Sequence, residues 1–193
     1  NIPTGAGDSI NLNAVYTDGM SRENFQVLFP QQFVMFSGSG IGAYQSIGFA
    51  GIADGVYGAG GSIETVKTWG VRGGYTHNWS PNWASAIYGG YASLSYGSTG
   101  KTLICANFAT IAVAGSTCNP DFNFGVVGIN TVWTPVKNLA FTADLSWSRL
   151  DQKYSGTIAI PATGMAAWAK PAAVYELKDQ NSLTLMLRAQ RTF

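Results

Sequence analysis

The run at the C-terminus alternates with a period of two: Leu183, Leu185, Leu187, Ala189 and Phe193 stand against Ser182, Thr184, Met186, Arg188, Gln190 and Thr192. A strand turns successive side chains to opposite faces, so this pattern makes one apolar face and one mostly polar face. Arg191 breaks the apolar face only near the end, where a long side chain can reach out of an apolar layer. Residues 139–149 repeat the pattern, with Leu139, Phe141, Ala143, Leu145 and Trp147 on one face and Ala140, Thr142, Asp144, Ser146 and Ser148 on the other. A helix would scatter Asp144 and Ser146 around its circumference, whereas a strand collects them. Segments 9–17, 44–57, 68–77 and 124–133 alternate in the same way. Segment 83–96 is strand-like and aromatic with ambiguous parity, and 25–36 is interrupted by Pro30.

These eight candidate strands mostly run 9 to 14 residues. A tilted membrane strand needs about 9–11 residues, whereas soluble strands usually run about 5–6. Composition agrees: the chain is 46% hydrophobic and only 11% charged, against a usual charged share of about 25%. Such a chain is no candidate for disorder. Eleven basic against ten acidic residues leave no basic footprint for nucleic acid. The longest apolar runs, such as 165–169, are far shorter than the roughly 18 residues of a spanning helix. The remaining way to satisfy backbone hydrogen bonds in lipid is an antiparallel transmembrane β-barrel, and the whole of 1–193 is expected to be part of one such domain.

Turns set the expected topology. Residues 78–83 and 133–138 are short, Pro-bearing and flanked by Trp, whereas 97–122 and 151–181 are long and rich in small residues. Bacterial barrels have short periplasmic turns, long outer loops and two aromatic girdles. The Trp-Pro turns are therefore expected on the periplasmic side, with residue 1, and the long segments outside. Ala172–Leu177 is expected to extend the final hairpin above the membrane. Asn1-Ile2-Pro3-Thr4-Gly5 has neither a basic nor an apolar signal region. A removed signal or a start within a longer protein would account for this.

Parity nominates Asn11, Asn13, Asp54, Arg72, Asn130, Asp144, Arg188 and Gln190 as residues lining a water-filled pore, with an ordinary solvated sheet face as the competing reading. Trp69, Trp79, Trp83, Trp133 and Trp147 are girdle candidates, because indole joins an apolar ring to a polar N–H. Cys105 and Cys118, an even pair in a Gly-rich segment, suggest a disulfide; two free thiols are the alternative. No metal site is expected, since His77 is the only histidine and lies far from them. No spacing supports a catalytic triad, and His77 is expected at the interface end of its strand. The Gly loop at 38–43 is followed by alternation rather than a helix, so it is not read as a dinucleotide motif. No catalytic residue and no cofactor is expected.

The residues also carry a family resemblance. The stretch Trp133-Thr-Pro-Val-Lys-Asn-Leu-Ala-Phe-Thr-Ala-Asp-Leu, with Arg149-Leu-Asp-Gln-Lys-Tyr154, resembles the general porins of α-proteobacteria, of rhizobial and Brucella type. So do Lys170-Pro-Ala-Ala-Val-Tyr-Glu-Leu-Lys-Asp-Gln180 and Arg188-Ala-Gln-Arg-Thr-Phe193. Ile104-Cys105 and Cys118-Asn-Pro-Asp121 look like the cysteine-bearing outer loop of that family. The resemblance implies a homotrimeric, sixteen-stranded porin of the bacterial outer membrane. Such a protein passes small hydrophilic solutes and ions passively, and lipid is its surrounding partner. Eight strands here would be strands 9–16, the C-terminal half, with the constriction loop in the other half. Phe193 would be the signal read by the barrel-assembly machinery. Two alternatives compete: a small closed barrel with a structural or adhesion role, and a barrel enzyme.

Overall fold

A computed structural model describes residues 2–3, 7–25, 32–37, 46–58, 60–160 and 172–193. Pro30 and residues 38–43 and 165–169 lie outside the described residues. The elements begin with β1 (Ile2–Pro3), β2 (Ser9–Asp18), the one-turn α1 (Arg22–Phe25), β3 (Gln32–Ser37) and β4 (Ser46–Gly51). Then come β5 (Gly55–Tyr57), β6 (Ile63–Thr65), β7 (Lys67–Ser80), β8 (Trp83–Ser95), α2 (Ser98–Phe108) and β9 (Phe122–Val136). β10 (Leu139–Gln152), β11 (Thr157–Ile160), β12 (Ala173–Leu177) and β13 (Gln180–Arg191) complete the order. Among the described residues, no helix is long and apolar enough to cross a membrane.

One large antiparallel sheet dominates, in the order β1-β2-β7-β8-β9-β10-β13. Its six long strands run 10 to 15 residues, longer than the alternating segments suggest. The turns are correspondingly tighter. Pro81 and Asn82 alone join β7 to β8, and Lys137 and Asn138 alone join β9 to β10. Asn138 takes a φ of 66°, a left-handed conformation that asparagine tolerates better than most residues. Pro135 lies inside β9 beside a register shift, the kind of place where a strand can lose an N–H donor.

Two of the eight expected strands are not in this sheet. Segment 25–36 begins with the last residue of α1, and its strand β3 pairs with β4 in a separate four-stranded sheet, β11-β12-β4-β3. In segment 44–57 the strand ends at Gly51. Its alternation is misleading because Ser46, Ile47, Gly48 and Ala50 are all buried, so both faces of β4 are covered. β12, expected as part of the last hairpin, pairs instead with β11 and, in parallel, with β4.

The small sheet, α1, α2 and the hairpin of β5 and β6 form a cap at the long-connection end. The polar-parity face of the large sheet turns apolar there. Ala92, Leu94, Phe122, Phe124 and Leu150 join Phe25, Ala50, Ile52 and Val66 in one buried cluster. A second cluster, with Ile47, Phe108, Ile158, Ile160, Tyr175 and Leu177, lies within the cap. Gln152 laces cap to sheet: its amide nitrogen donates to the carbonyls of Ile47 (3.0 Å) and Lys178 (2.6 Å), and its oxygen accepts from Phe49 N–H (3.2 Å). Gln180 donates to Ser46 Oγ and the Lys178 carbonyl.

α2 starts against a carboxylate from the hairpin: Gly100 N–H donates to Glu64 Oε2 at 2.8 Å. That bond, the main cause, holds the Glu64 carboxyl below its usual range. A side chain at Gly97 would overlap the Glu64 carboxylate and push it away from the helix start. Cys105 and Cys118 form a disulfide that fastens α2 to the chain beyond it. Lys101 meets Asp121 at 2.6 Å, and Asp121 accepts from Tyr96 N–H at 2.8 Å.

Candidate functional site

Below the cap the two faces of the large sheet differ sharply. Leu12, Val71, Ile87, Ile129, Leu145 and Leu185 stand on one face, all well exposed. Strand pairing assigns the other face residue by residue, including the ambiguous segment 83–96. Ser9, Thr76, Ala86, Asn130, Asp144 and Met186 are successive partners across the sheet. The next row is Asn11, Gly74, Tyr88, Gly128, Ser146 and Thr184, and the next is Asn13, Arg72, Gly90, Val126, Ser148 and Ser182. Arg188 and Gln190 pair with Thr142 and Ala140 on the same face. The rows are mostly small and polar side chains, with Val126 and Met186 the apolar exceptions, and they leave a groove of about 590 Å³ against Asn11, Asn13, Arg72, Thr76, Tyr88 and Asn130.

Seven of the eight polar residues expected together therefore share this face. Asp54 does not. It sits in the bend between β4 and β5, where its carboxylate accepts from Ser21 N–H (2.8 Å) and Ser21 Oγ (2.7 Å). The parity argument failed there because its strand ends three residues earlier.

Two contacts position side chains on the face. Arg72 Nη1 donates to the Glu23 carbonyl at 3.1 Å, which ties it to α1. Tyr88 Oη donates to Asp144 Oδ1 at 2.8 Å. The Tyr88 ring reaches Asp144 by lying across Gly128, where a Cβ would overlap the ring. Sequence reasoning missed Tyr88 because the parity of its strand was unread. The structure resolves it: Trp83, Ile87 and Tyr91 are the exposed apolar set, and Tyr88 faces the other way.

The aromatic residues form two bands on the apolar face. Trp79, Trp83 and Trp133 lie at the tight-turn end, with Trp83 and Trp133 ring centroids 6.3 Å apart and Phe141 stacked on Trp133 at 5.7 Å. Trp69, near Tyr91 at 5.6 Å, and Trp147 lie toward the cap. Trp69 and Trp79 are ten residues apart on β7, roughly 33 Å along the strand and about 25 Å across a bilayer at a tilt of about 40°. His77 stands at the tight-turn end against Trp79, centroids 4.3 Å apart, with Nδ1 2.8 Å from Asp8 Oδ2. Asp8 also accepts from Asn78 N–H and Tyr75 Oη. The Asn78 bond, then that of His77, pulls the Asp8 carboxyl down to about 2. Among the described residues no cluster of His, Cys, Asp or Glu could hold a metal ion.

A family model described as the porin subfamily matches residues 1–186 of the 193. The chain belongs to the porin subfamily. No curated protein and no solved structure matches it. As a porin it is a channel protein of the bacterial outer membrane, with membrane lipid around it and small solutes or ions as its traffic. The strand-rich, antiparallel architecture of this porin is that of a transmembrane β-barrel wall.

Proposed function

We propose that the polar face lines a water-filled passage for passive diffusion of small hydrophilic solutes and ions. Asn11, Asn13, Arg72, Asn130, Asp144, Arg188 and Gln190 touch the passing water, joined by Tyr88. The observation that carries this reading is the register of the sheet, which stacks mostly small and polar residues in three rows behind an exposed apolar face. Trp69 and Trp147 meet one headgroup layer, and Trp79, Trp83 and Trp133 the other. The tight-turn end faces the periplasm and the cap faces outward, following the usual asymmetry of bacterial barrels.

The experiment is paired cysteine labelling in lipid vesicles. Asn130→Cys is expected to react with a water-soluble maleimide and Ile129→Cys to be protected. Equal labelling of both would overturn the face assignment. In planar bilayers, discrete ohmic conductance steps are the expected signature of passive diffusion, and silence would count against it.

Resemblance to the α-proteobacterial general porins supports a finer reading: the chain is part of the C-terminal half of a sixteen-stranded, trimer-forming barrel. Phe193, fully exposed after β13, is then the residue the assembly machinery reads. Deleting Phe193 is expected to lower outer-membrane levels of the protein severalfold, and unchanged levels in membrane fractions would refute that role.

Tyr88 gives a test of the passage itself. Gly128→Ala puts a methyl group where the ring lies, so Tyr88 must lift away and lose its bond to Asp144. A hydrogen bond to a charged group contributes about 1.5–3 kcal/mol. The freed ring protrudes into the passage, so single-channel conductance is expected to fall, and Gly128→Ala with Tyr88→Ala is expected to restore it. A double variant no better than the single one would show that the ring is not the obstruction.

A further inference from the structure

The cap holds a second hollow, of about 410 Å³, walled by Ile52, Val56, Ile104, Tyr57, Tyr96 and Tyr154. Its size is that of a small-molecule site, which typically measures about 300–1,000 Å³. Among the described residues, no charged side chain lines it. Two of its wall tyrosines are held in place by contacts of their own. Tyr96 Oη donates to the Gly51 carbonyl at 2.7 Å. The Tyr154 ring packs on Phe108 at 5.0 Å and on Phe49 at 5.9 Å. The Tyr154 hydroxyl is different, having no hydrogen-bond partner among the described residues. Burial pushes its titration up to about 12, so it stays a neutral donor and acceptor. Tyr57 stands at the rim, 70% exposed.

We propose that this hollow binds a neutral, polyhydroxylated ring of the pyranose class. Such a ring has an apolar C–H face to lie on Tyr57 and a rim of hydroxyls to meet the Tyr154 Oη. The aliphatic walls of Ile52, Val56 and Ile104 admit the C–H face. A charged solute of the same size would lose hydration with no charged side chain in the described lining to meet it, since the nearby Asp121 is already paired with Lys101, and that loss is costly. Selection here acts on uncharged solutes at the cap, apart from the polar rows below it. The proposal does not depend on conduction, because occupancy is read directly.

The test is saturation-transfer NMR on the full chain refolded in detergent, with methyl β-D-glucopyranoside as probe and gluconate as its charged counterpart. Transfer to the ring protons of the glucoside and none to gluconate is expected. Tyr57→Ala and Tyr154→Phe are each expected to weaken apparent affinity about two- to tenfold, the share of one aromatic contact or one hydrogen bond. Both variants should fold: Tyr57 is exposed, and phenylalanine keeps the ring contacts of Tyr154. Near-UV circular dichroism checks this. No transfer to the glucoside, equal transfer to gluconate, or transfer unaffected by either substitution in a folded protein would overturn the proposal.

Discussion

Phe122→Ala is expected to destabilise the protein by about 3–5 kcal/mol, the usual cost of truncating a buried phenylalanine. Phe122 is 1% exposed, and its ring lies 5.2 Å from that of Phe25, itself wholly buried. One ring comes from a long strand and the other from α1, so the pair joins cap to wall. Leu94, Phe124 and Leu150 surround them in the same cluster and are themselves fully buried. Packing this close leaves little room for collapse into the vacated space, which places the cost at the upper end. The control is Phe141→Ala, since Phe141 is 40% exposed on the apolar face. Urea unfolding in detergent, followed by tryptophan fluorescence, measures both. A loss below about 1 kcal/mol for Phe122→Ala would mean that the cap does not depend on this contact.

Gln152→Ala should act on the cap more than on the wall. The side chain is 5% exposed and bonds to three backbone groups at once. Two of these groups keep another donor after truncation. The Ile47 carbonyl also accepts from Lys178 N–H, and the Lys178 carbonyl from Gln180. The Phe49 N–H loses this part-buried side-chain acceptor, and a hydrogen bond lost from a partly buried site costs about 1 kcal/mol or more. If the opening is local, amide exchange along β4 is expected to quicken about ten- to hundredfold while the middle of β9 is unchanged. Equal acceleration in both strands would show that Gln152 supports the whole fold. Gln152→Glu keeps the shape and the acceptor but brings a charge to the same carbonyls, and should be no better than alanine.

The large sheet was legible in the sequence because lipid-like and polar faces impose the same alternation on every strand. Leu183, Leu185 and Leu187, or Leu145 and Trp147, repeat without a break, and seven of the expected polar residues fall on one face as a result. The cap was not legible, for two physical reasons. First, β4 is covered on both sides, so its alternation of Ile47 and Phe49 with Ser46 and Gly48 carries no information about faces. Asp54 was misplaced with it. Second, the contacts that hold the cap are between residues far apart in the chain. Gln152 reads as an ordinary polar strand end until Ile47, 105 residues away, is set beside it. The long connection at 19–66 hid for the same reason, since its two strands β3 and β4, which belong to the small sheet, kept the up-and-down count even. The disulfide was easier, because its cysteines are only 13 apart and no others compete.

The parallel pairing of β4 with β12 also fixes an order of events in time. β7 and β8, like β9 and β10, meet across two-residue turns, so little chain entropy opposes their zipping. Ser46 and Gln180 must find each other across 134 residues, and that loop has to close before any contact repays it. β12 cannot dock on β4 until the segment carrying it is present, and by then the earlier hairpins have had the chance to form. The cap is therefore the late step of assembly. A slow folding phase sensitive to Gln152, Gln180 and Leu177, yet indifferent to the tight turns, would be its kinetic trace.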